Sequence, residues 1–130
     1  MIIADTDVLI DFLRDHRPMA DRIALELESN SFATTAITEF ELRSGVRSAR
    51  QATAVEALLA ALDTFALSSA AAKRAGEVRR DLESKGQMIG MADCLIAGIC
   101  LERDAILLTR NVKHFSRVDG LRLSGDAMRA

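Results

Sequence analysis

Apolar and polar positions along this chain fall into blocks that predict short strands separated by amphipathic helices. Met1-Ile2-Ile3-Ala4 is a continuous apolar run, the pattern of a strand buried on both faces of a parallel sheet. Beyond it Val8, Leu9, Phe12 and Leu13 recur at i, i+1, i+4 and i+5, a helical stripe that ends at the polar Arg14-Asp15-His16-Arg17. Pro18 suits the first turn of a second helix running through Ile23, Leu25 and Leu27 toward Glu28. Phe32 to Ile37 predicts the second strand, and Thr38-Glu39-Phe40-Glu41 has capping-box spacing that opens a third helix carrying Leu42 and Val46. Gln51 to Leu62 predicts a helix with an Ala/Leu face, and Thr64-Phe65-Ala66-Leu67 a third strand. Ser68 or Ser69 caps a long helix that ends near Lys85, with Gly86 as its left-handed stop. Met91 to Arg103 is a further apolar helix, and Ala105 to Thr109 the clearest late strand. One helical turn at Val112 to Phe115 then leads to an edge strand at Leu121-Arg122-Leu123. Strands that alternate with helices predict the α/β class: a short, mainly parallel sheet covered on both faces.

Composition narrows this to one folded unit. The 130 residues are 49% apolar and 28% charged, with 1 Pro and 7 Gly, which predicts a single domain spanning 1–130 without disordered linkers. The opening is too short, and too soon interrupted by Asp5, Asp7 and Asp11, for a secretory signal. The apolar stretches fall below a membrane span, so a cytoplasmic protein with no membrane partner is expected. Cys94 and Cys100 fall on one predicted helix, separated by roughly 9 Å of rise, too far for a disulfide. They read as reduced thiols and lack zinc-ligand spacing. A net charge of -2 means that nucleic-acid binding requires a local basic surface. With Trp and Tyr absent and only 5 Phe, recognition by stacking on bases is disfavoured.

Candidate chemistry lies in three acids. Asp5 ends the first strand, Glu41 lies within a helical turn after the second, and Asp93 opens the helix before the late strand. Ligands in open α/β sheets gather past the carboxyl ends of strands, where all three could meet. Each acid also has a plainer role: Asp5 as a helix N-cap, Glu41 as the second half of a capping box, Asp93 as a complement to a helix dipole. Clustered carboxylates repel one another, and their hard oxygens suit Mg²⁺ or Mn²⁺, the ions of phosphoester hydrolysis. Asp5-x-Asp7 also fits the start of an aspartate-nucleophile phosphatase of the haloacid-dehalogenase type. That chemistry needs a later Lys and an acid pair, yet Lys73 and Lys85 lie in helical settings and Gly125-Asp126 has no partner acid.

Four segments in order resemble the PIN domain family. Asp5-Thr6-Asp7-Val8-Leu9-Ile10 is similar to its D-T-N/S-V-L-I opening, and Glu41-Leu42-Arg43-Ser44-Gly45 to its E-L-x-x-G segment. Gly90 to Ala97 resembles the x-x-A-D-x-x-I-A helix, and Thr109-Arg110-Asn111 the T-R-D/N element, with the greatest similarity to VapC toxins. The resemblance implies a PIN-like three-layer α/β/α sandwich and a Mg²⁺-dependent endoribonuclease, with Mn²⁺ as a possible substitute. It also implies the toxin of a VapBC-type pair, often a homodimer, that cuts RNA and is silenced by a VapB-type antitoxin whose tail occupies the active-site groove. By the same resemblance Asp5, Glu41 and Asp93 match the metal-binding acids, with Asn111 at the place of a fourth acid and Asp7 where Asn or Ser is more common.

Asp7 fits a supporting or helix-start position, Glu39 is an understudy for Glu41, and Asn111 fits either the site or a turn. Arg43, Arg47 and Arg50 predict one helical stripe that is a solvated face, an RNA contact or a contact for an acidic antitoxin tail. Arg110 and Lys113 are the nearer candidates for RNA phosphates, whereas His114 fits a structural or exposed position better than that of a general base. A PIN-like scaffold that has lost catalysis and acts by binding is the non-enzymatic alternative.

Overall fold

The computed structural model describes residues 1–124, so Gly125-Asp126 lies outside the described residues. Among the described residues five strands form one sheet: β1 (Ile2–Ala4), β2 (Phe32–Thr35), β3 (Asp63–Phe65), β4 (Ile106–Leu108) and β5 (Arg122–Leu123). Their spatial order is β3-β2-β1-β4-β5, and every neighbouring pair is parallel. Seven helices connect them: α1 (Thr6–Leu13), α2 (Met19–Leu27), α3 (Ala36–Ser44), α4 (Ala49–Ala60), α5 (Ser69–Ser84), α6 (Met91–Glu102) and α7 (Val112–Phe115).

Side chains on a strand point alternately to the two faces, and two separate apolar cores follow from that period. Ile3, Ala33 and Leu107 pack with Ala71, Val78 and Leu82 of α5, Ile96 and Ile99 of α6, and Phe115 of α7. Ala4, Phe32 and Leu108, one residue out of phase, pack with Val8 and Leu9 of α1, Ile23 of α2, Leu42 of α3, and Val55 and Leu58 of α4. The result is the expected α/β/α sandwich. The chain winds outward from β1 to β2 to β3, then returns through α5 and α6 to place β4 on the other side of β1. Strand order therefore reverses between β1 and β4, and a crevice opens past their carboxyl ends.

Gly98 of α6 allows a close helix approach. A Cβ there would stand 2.6 Å from the Ala71 carbonyl oxygen and 2.6 Å from the Ala75 Cβ, so α5 and α6 meet where one of them has no side chain. Gly86 supplies the left-handed stop after α5, with φ +66, as its position predicts. Ser68 is the cap of that helix, accepting the Ala71 amide at 3.0 Å.

Several boundaries differ from the sequence reading. β2 stops at Thr35 rather than Ile37, because Thr35 is itself an N-cap whose Oγ1 accepts the Thr38 amide at 3.1 Å. Thr38 is thus inside α3, and Thr38-x-x-Glu41 is not a capping box. Ala36 and Ile37 read as strand because they continue an apolar run, whereas they form the first turn of the helix. α4 begins at Ala49, capped by Ser48, and β3 lies at Asp63–Phe65 rather than Thr64 to Leu67. The chain between Ser44 and Ala49 is not helical, so Arg43, Arg47 and Arg50 do not form one continuous stripe.

Candidate active site

Asp5 follows the last residue of β1, and its extended backbone (φ -74, ψ 164) makes it the N-cap of α1. Capping and burial coincide here: one carboxylate oxygen accepts the Thr6 amide at 2.8 Å, the other accepts the Thr109 hydroxyl at 2.7 Å, and the residue is 5% exposed. Thr109 directly follows β4, so this bond spans the mouth of the crevice between the two central strands. Burial and then the nearby Asp7 carboxylate push the Asp5 pKa up to about 7, against the opposing pull of the bonds from Thr109 and Thr6; Asp93 raises it further.

Asp7 occupies the first turn of α1. Its Oδ2 accepts the Arg110 amide at 3.1 Å and lies 3.4 Å from the Thr109 hydroxyl, while its Oδ1 is buried without any hydrogen-bond partner. Burial pushes its pKa up and prevails over the Arg110 amide and guanidinium, which both lower it, while Asp11 adds a smaller upward push. A buried carboxylate oxygen with no donor is satisfied by a proton or a cation.

Glu41 arrives from α3. With Thr35 as cap, position 41 is in the second turn, where its Oε1 accepts the Thr6 hydroxyl at 2.6 Å. The Thr6 hydroxyl also lies 3.0 Å from Thr38 Oγ1, tying α1 to α3 at the level of the acids. Asp93 sits in the first turn of α6, half-buried. Burial raises its pKa, Glu41 and Asp7 raise it further, and His114 lowers it. Asp5, Asp7, Glu41 and Asp93 therefore share one electrostatic neighbourhood although they come from three distant parts of the chain.

Among the described residues no three acidic, histidine or cysteine side chains stand close enough to form a closed cation cage. The acids make an open, repelling cluster of hard oxygen donors with one orphaned atom. Such a donor set fits a dication that retains part of its water shell.

The remaining candidates divide. Asn111 bonds through its side chain to His114, Nδ2 to Nδ1 at 3.0 Å, and through its amide to the Thr109 hydroxyl at 3.0 Å. Its side chain is thus occupied by His114, and His114 lies nearer the acids than an exposed or purely structural position implied. Arg110 has its amide on Asp7 and its guanidinium Nε 2.6 Å from Asp11 Oδ2, at the rim of the crevice. Lys113 is exposed on α7. Arg43 does not join this group: it pairs with Glu39 at 2.8 Å and with Glu56, and two residues along a helix from Glu41 turn it to the opposite side of α3. That arrangement sets Arg43 apart from the acids, and it ties Glu39 to Arg43 rather than to the site.

Asp7 stands in the first turn of α1 as its position predicts, but its orphaned oxygen had no signal in the sequence, and the contacts of Thr6, Thr109 and Asp11 were not foreseen. For Asp11 a signal was present: a carboxylate four residues after Asp7 on the same helix face, in a stripe otherwise apolar.

The model of the PIN domain family matches residues 2–121. The tRNA(fMet)-specific endonuclease VapC of Shigella flexneri is 30% identical over 122 residues, 91% of this chain and 92% of that protein. Ribonuclease VapC19 of Mycobacterium tuberculosis is 35% identical over 117 residues, 88% of this chain and 92% of that one. Among solved structures, the DNA-bound VapBC of Salmonella typhimurium superposes with a TM-score of 0.85 at 28% identity, covering 95% of this chain and 96% of that chain. A switch-point crevice lined by Asp5, Glu41 and Asp93, and similarity along nearly the whole length, lead to one conclusion: the chain belongs to the PIN domain family and groups within it with the VapC proteins.

Proposed function

We propose that this protein is a metal-dependent endoribonuclease, the toxin of a VapBC-type pair, and that residues 1–130 act as one PIN-like domain in the cytoplasm. Asp5, Glu41 and Asp93 are the residues that would hold the ion, Mg²⁺ or Mn²⁺. The ion, when bound, would activate water and offset charge on the phosphate. The observation that carries this reading is the convergence of these carboxylates at the β1/β4 crevice beside the orphaned Oδ1 of Asp7. An open cluster suits Mg²⁺, which keeps several waters and is held by few carboxylates together with substrate phosphates.

Each side chain has a separable task. Thr109 and Thr6 orient Asp5 and Glu41 by donating to them, and Arg110 and Lys113 attract the RNA backbone. Asn111 holds His114 beside Asp93 in place of a fourth acid. The antitoxin tail would enter the cleft of about 220 Å³ lined by Ile10, Leu13, Leu42, Val46 and Val55, with Glu41 on its wall, and so reach the acids. The homodimer remains part of the reading on the strength of the VapBC relatives.

An aspartate-nucleophile phosphatase is disfavoured because its chemistry needs a lysine at the nucleophile, whereas Lys73 lies on α5 and Lys85, just after it, is paired with Asp81 and Asp119. The deciding experiment incubates purified protein with labelled RNA in Mg²⁺, in Mn²⁺ and in EDTA. Cleavage only with the dication, lost in Asp5→Asn, is the expected outcome. Cleavage that persists in EDTA removes the metal assignment, and antitoxin binding without any cleavage favours the scaffold reading.

A further inference from the structure

Asp11 has no place in the metal cluster, yet it is a carboxylate only 6% exposed in the middle of α1. Its position relative to Asp7 explains what it touches. The two acids lie one helical turn apart on the same face, with Cβ atoms about 5–6 Å apart. Arg110 spans that turn: its main-chain amide donates to Asp7 at 3.1 Å, and its Nε lies 2.6 Å from Asp11 Oδ2. His16 Nδ1 lies 3.7 Å from the other Asp11 oxygen. The Arg110 side chain is itself 52% exposed, and among the described residues the hydrogen bond it makes is through its main-chain amide, not through its terminal nitrogens.

An arginine held this way is fixed on one edge and free on the other. The guanidinium presents a planar fork that matches two phosphate oxygens. Fixing its Nε edge removes rotamer freedom that would otherwise be lost on binding. The exposed ion pairs elsewhere on the surface, such as Arg79 with Glu83, lack both the buried anchor and the proximity to the acids.

We propose that Asp11 is a positioning residue for RNA: it holds the Arg110 guanidinium at the rim of the acidic crevice so that its free edge grips a backbone phosphate beside the scissile bond. This inference rests on the ribonuclease reading and adds to it a residue that acts through Arg110 rather than on the metal.

The test measures binding of labelled bulk tRNA in EDTA, where cleavage is off, for Asp11→Asn, Arg110→Gln and the double variant, with melting temperatures for each. Asp11→Asn is expected to weaken binding by roughly three- to tenfold, the loss from freeing one long side chain. The double variant should bind no more weakly than Arg110→Gln alone, because Asp11 then has nothing to hold. In cleavage assays with Mg²⁺ the Asp11→Asn defect should fall on KM more than on kcat. Unchanged binding in Asp11→Asn, or penalties that add in the double variant, would overturn the proposal while leaving the nuclease reading intact. Wild-type protein that cleaves no RNA in either metal sinks both. If Asp11→Asn does not fold, Arg110→Lys decides: it keeps the charge on Asp11 but not the fork, so its binding should fall, and wild-type affinity there refutes the role.

Discussion

Asp5 joins two demands that oppose each other. A helix cap and a hydroxyl donor favour its charged form, while burial and the neighbouring Asp7 favour the neutral one, and the second pair prevails with a pKa of about 7. A carboxyl whose folded pKa lies above its unfolded value near 3.8 stabilises the fold fully below pH 4, and that contribution is lost as pH rises to about 7. We expect the metal-free protein to lose stability between pH 4 and pH 7 on account of Asp5, by an amount on the order of a few kcal/mol, and Asp5→Asn to flatten that slope. Thermal unfolding in EDTA across this range measures it; a profile as steep in the variant refutes the assignment. Asp7→Asn removes a like charge, so the Asp5 pKa should fall and the metal-free protein should gain stability at pH 8, read by carboxyl NMR titration and by melting. Thr109→Val takes a donor from Asp5 without touching the charge, and metal affinity by calorimetry should drop about 10–100-fold.

At the scale of elements, the site depends on where helices begin. Thr35 as cap, three residues earlier than the capping-box spacing implied, turns Glu41 toward Thr6 and turns Arg43 toward Glu39 and Glu56. Asp5, Asp7 and Asp93 all stand within a residue or two of a helix start, where the macrodipole favours negative charge. The dipoles offset part of the repulsion among the acids but do not overcome burial, since all three remain raised. On the opposite face, Gly98 sets the separation of α5 and α6, the helix that carries Asp93. Gly98→Ala would press a methyl into backbone at 2.6 Å and should destabilise by about 1–3 kcal/mol in urea unfolding. A change near zero means that the helices slide apart freely, and Asp93 should then shift as well.

Over the whole molecule, the doubly wound order puts β1 and β4 side by side although about a hundred residues separate them, and this brings Asp5 to Thr109. A dication that binds only the folded state stabilises it by mass action. Mg²⁺ or Mn²⁺ should therefore raise the melting temperature more at pH 8, where Asp5 is ionised, than at pH 5, where a proton competes for it. Equal shifts at both pH values would place the ion elsewhere.

Much of this was legible in the chain. Apolar runs and helical stripes determined the order of strands and helices, because burial on two faces leaves a period that local sequence records. Asp5, Glu41 and Asp93 stood out because carboxylates near the ends of buried runs are costly to leave unpaired and because they fall in the segments that resemble the PIN domain family, although each also fits a plainer helix-start role. Helix starts were less legible: Ala36-Ile37 continues an apolar run whether it is strand or helix, and only the Thr35 hydroxyl on the Thr38 amide decides. Pairing across the fold was not legible at all. That Arg43 is occupied, that Asp7 keeps an orphaned oxygen, that Asn111 turns to His114 and that Asp11 anchors Arg110 are facts of distance between segments far apart in sequence. Composition and periodicity determine which residues must be buried; only tertiary packing decides which charges then face one another, because electrostatic energy depends on separation in space and not along the chain.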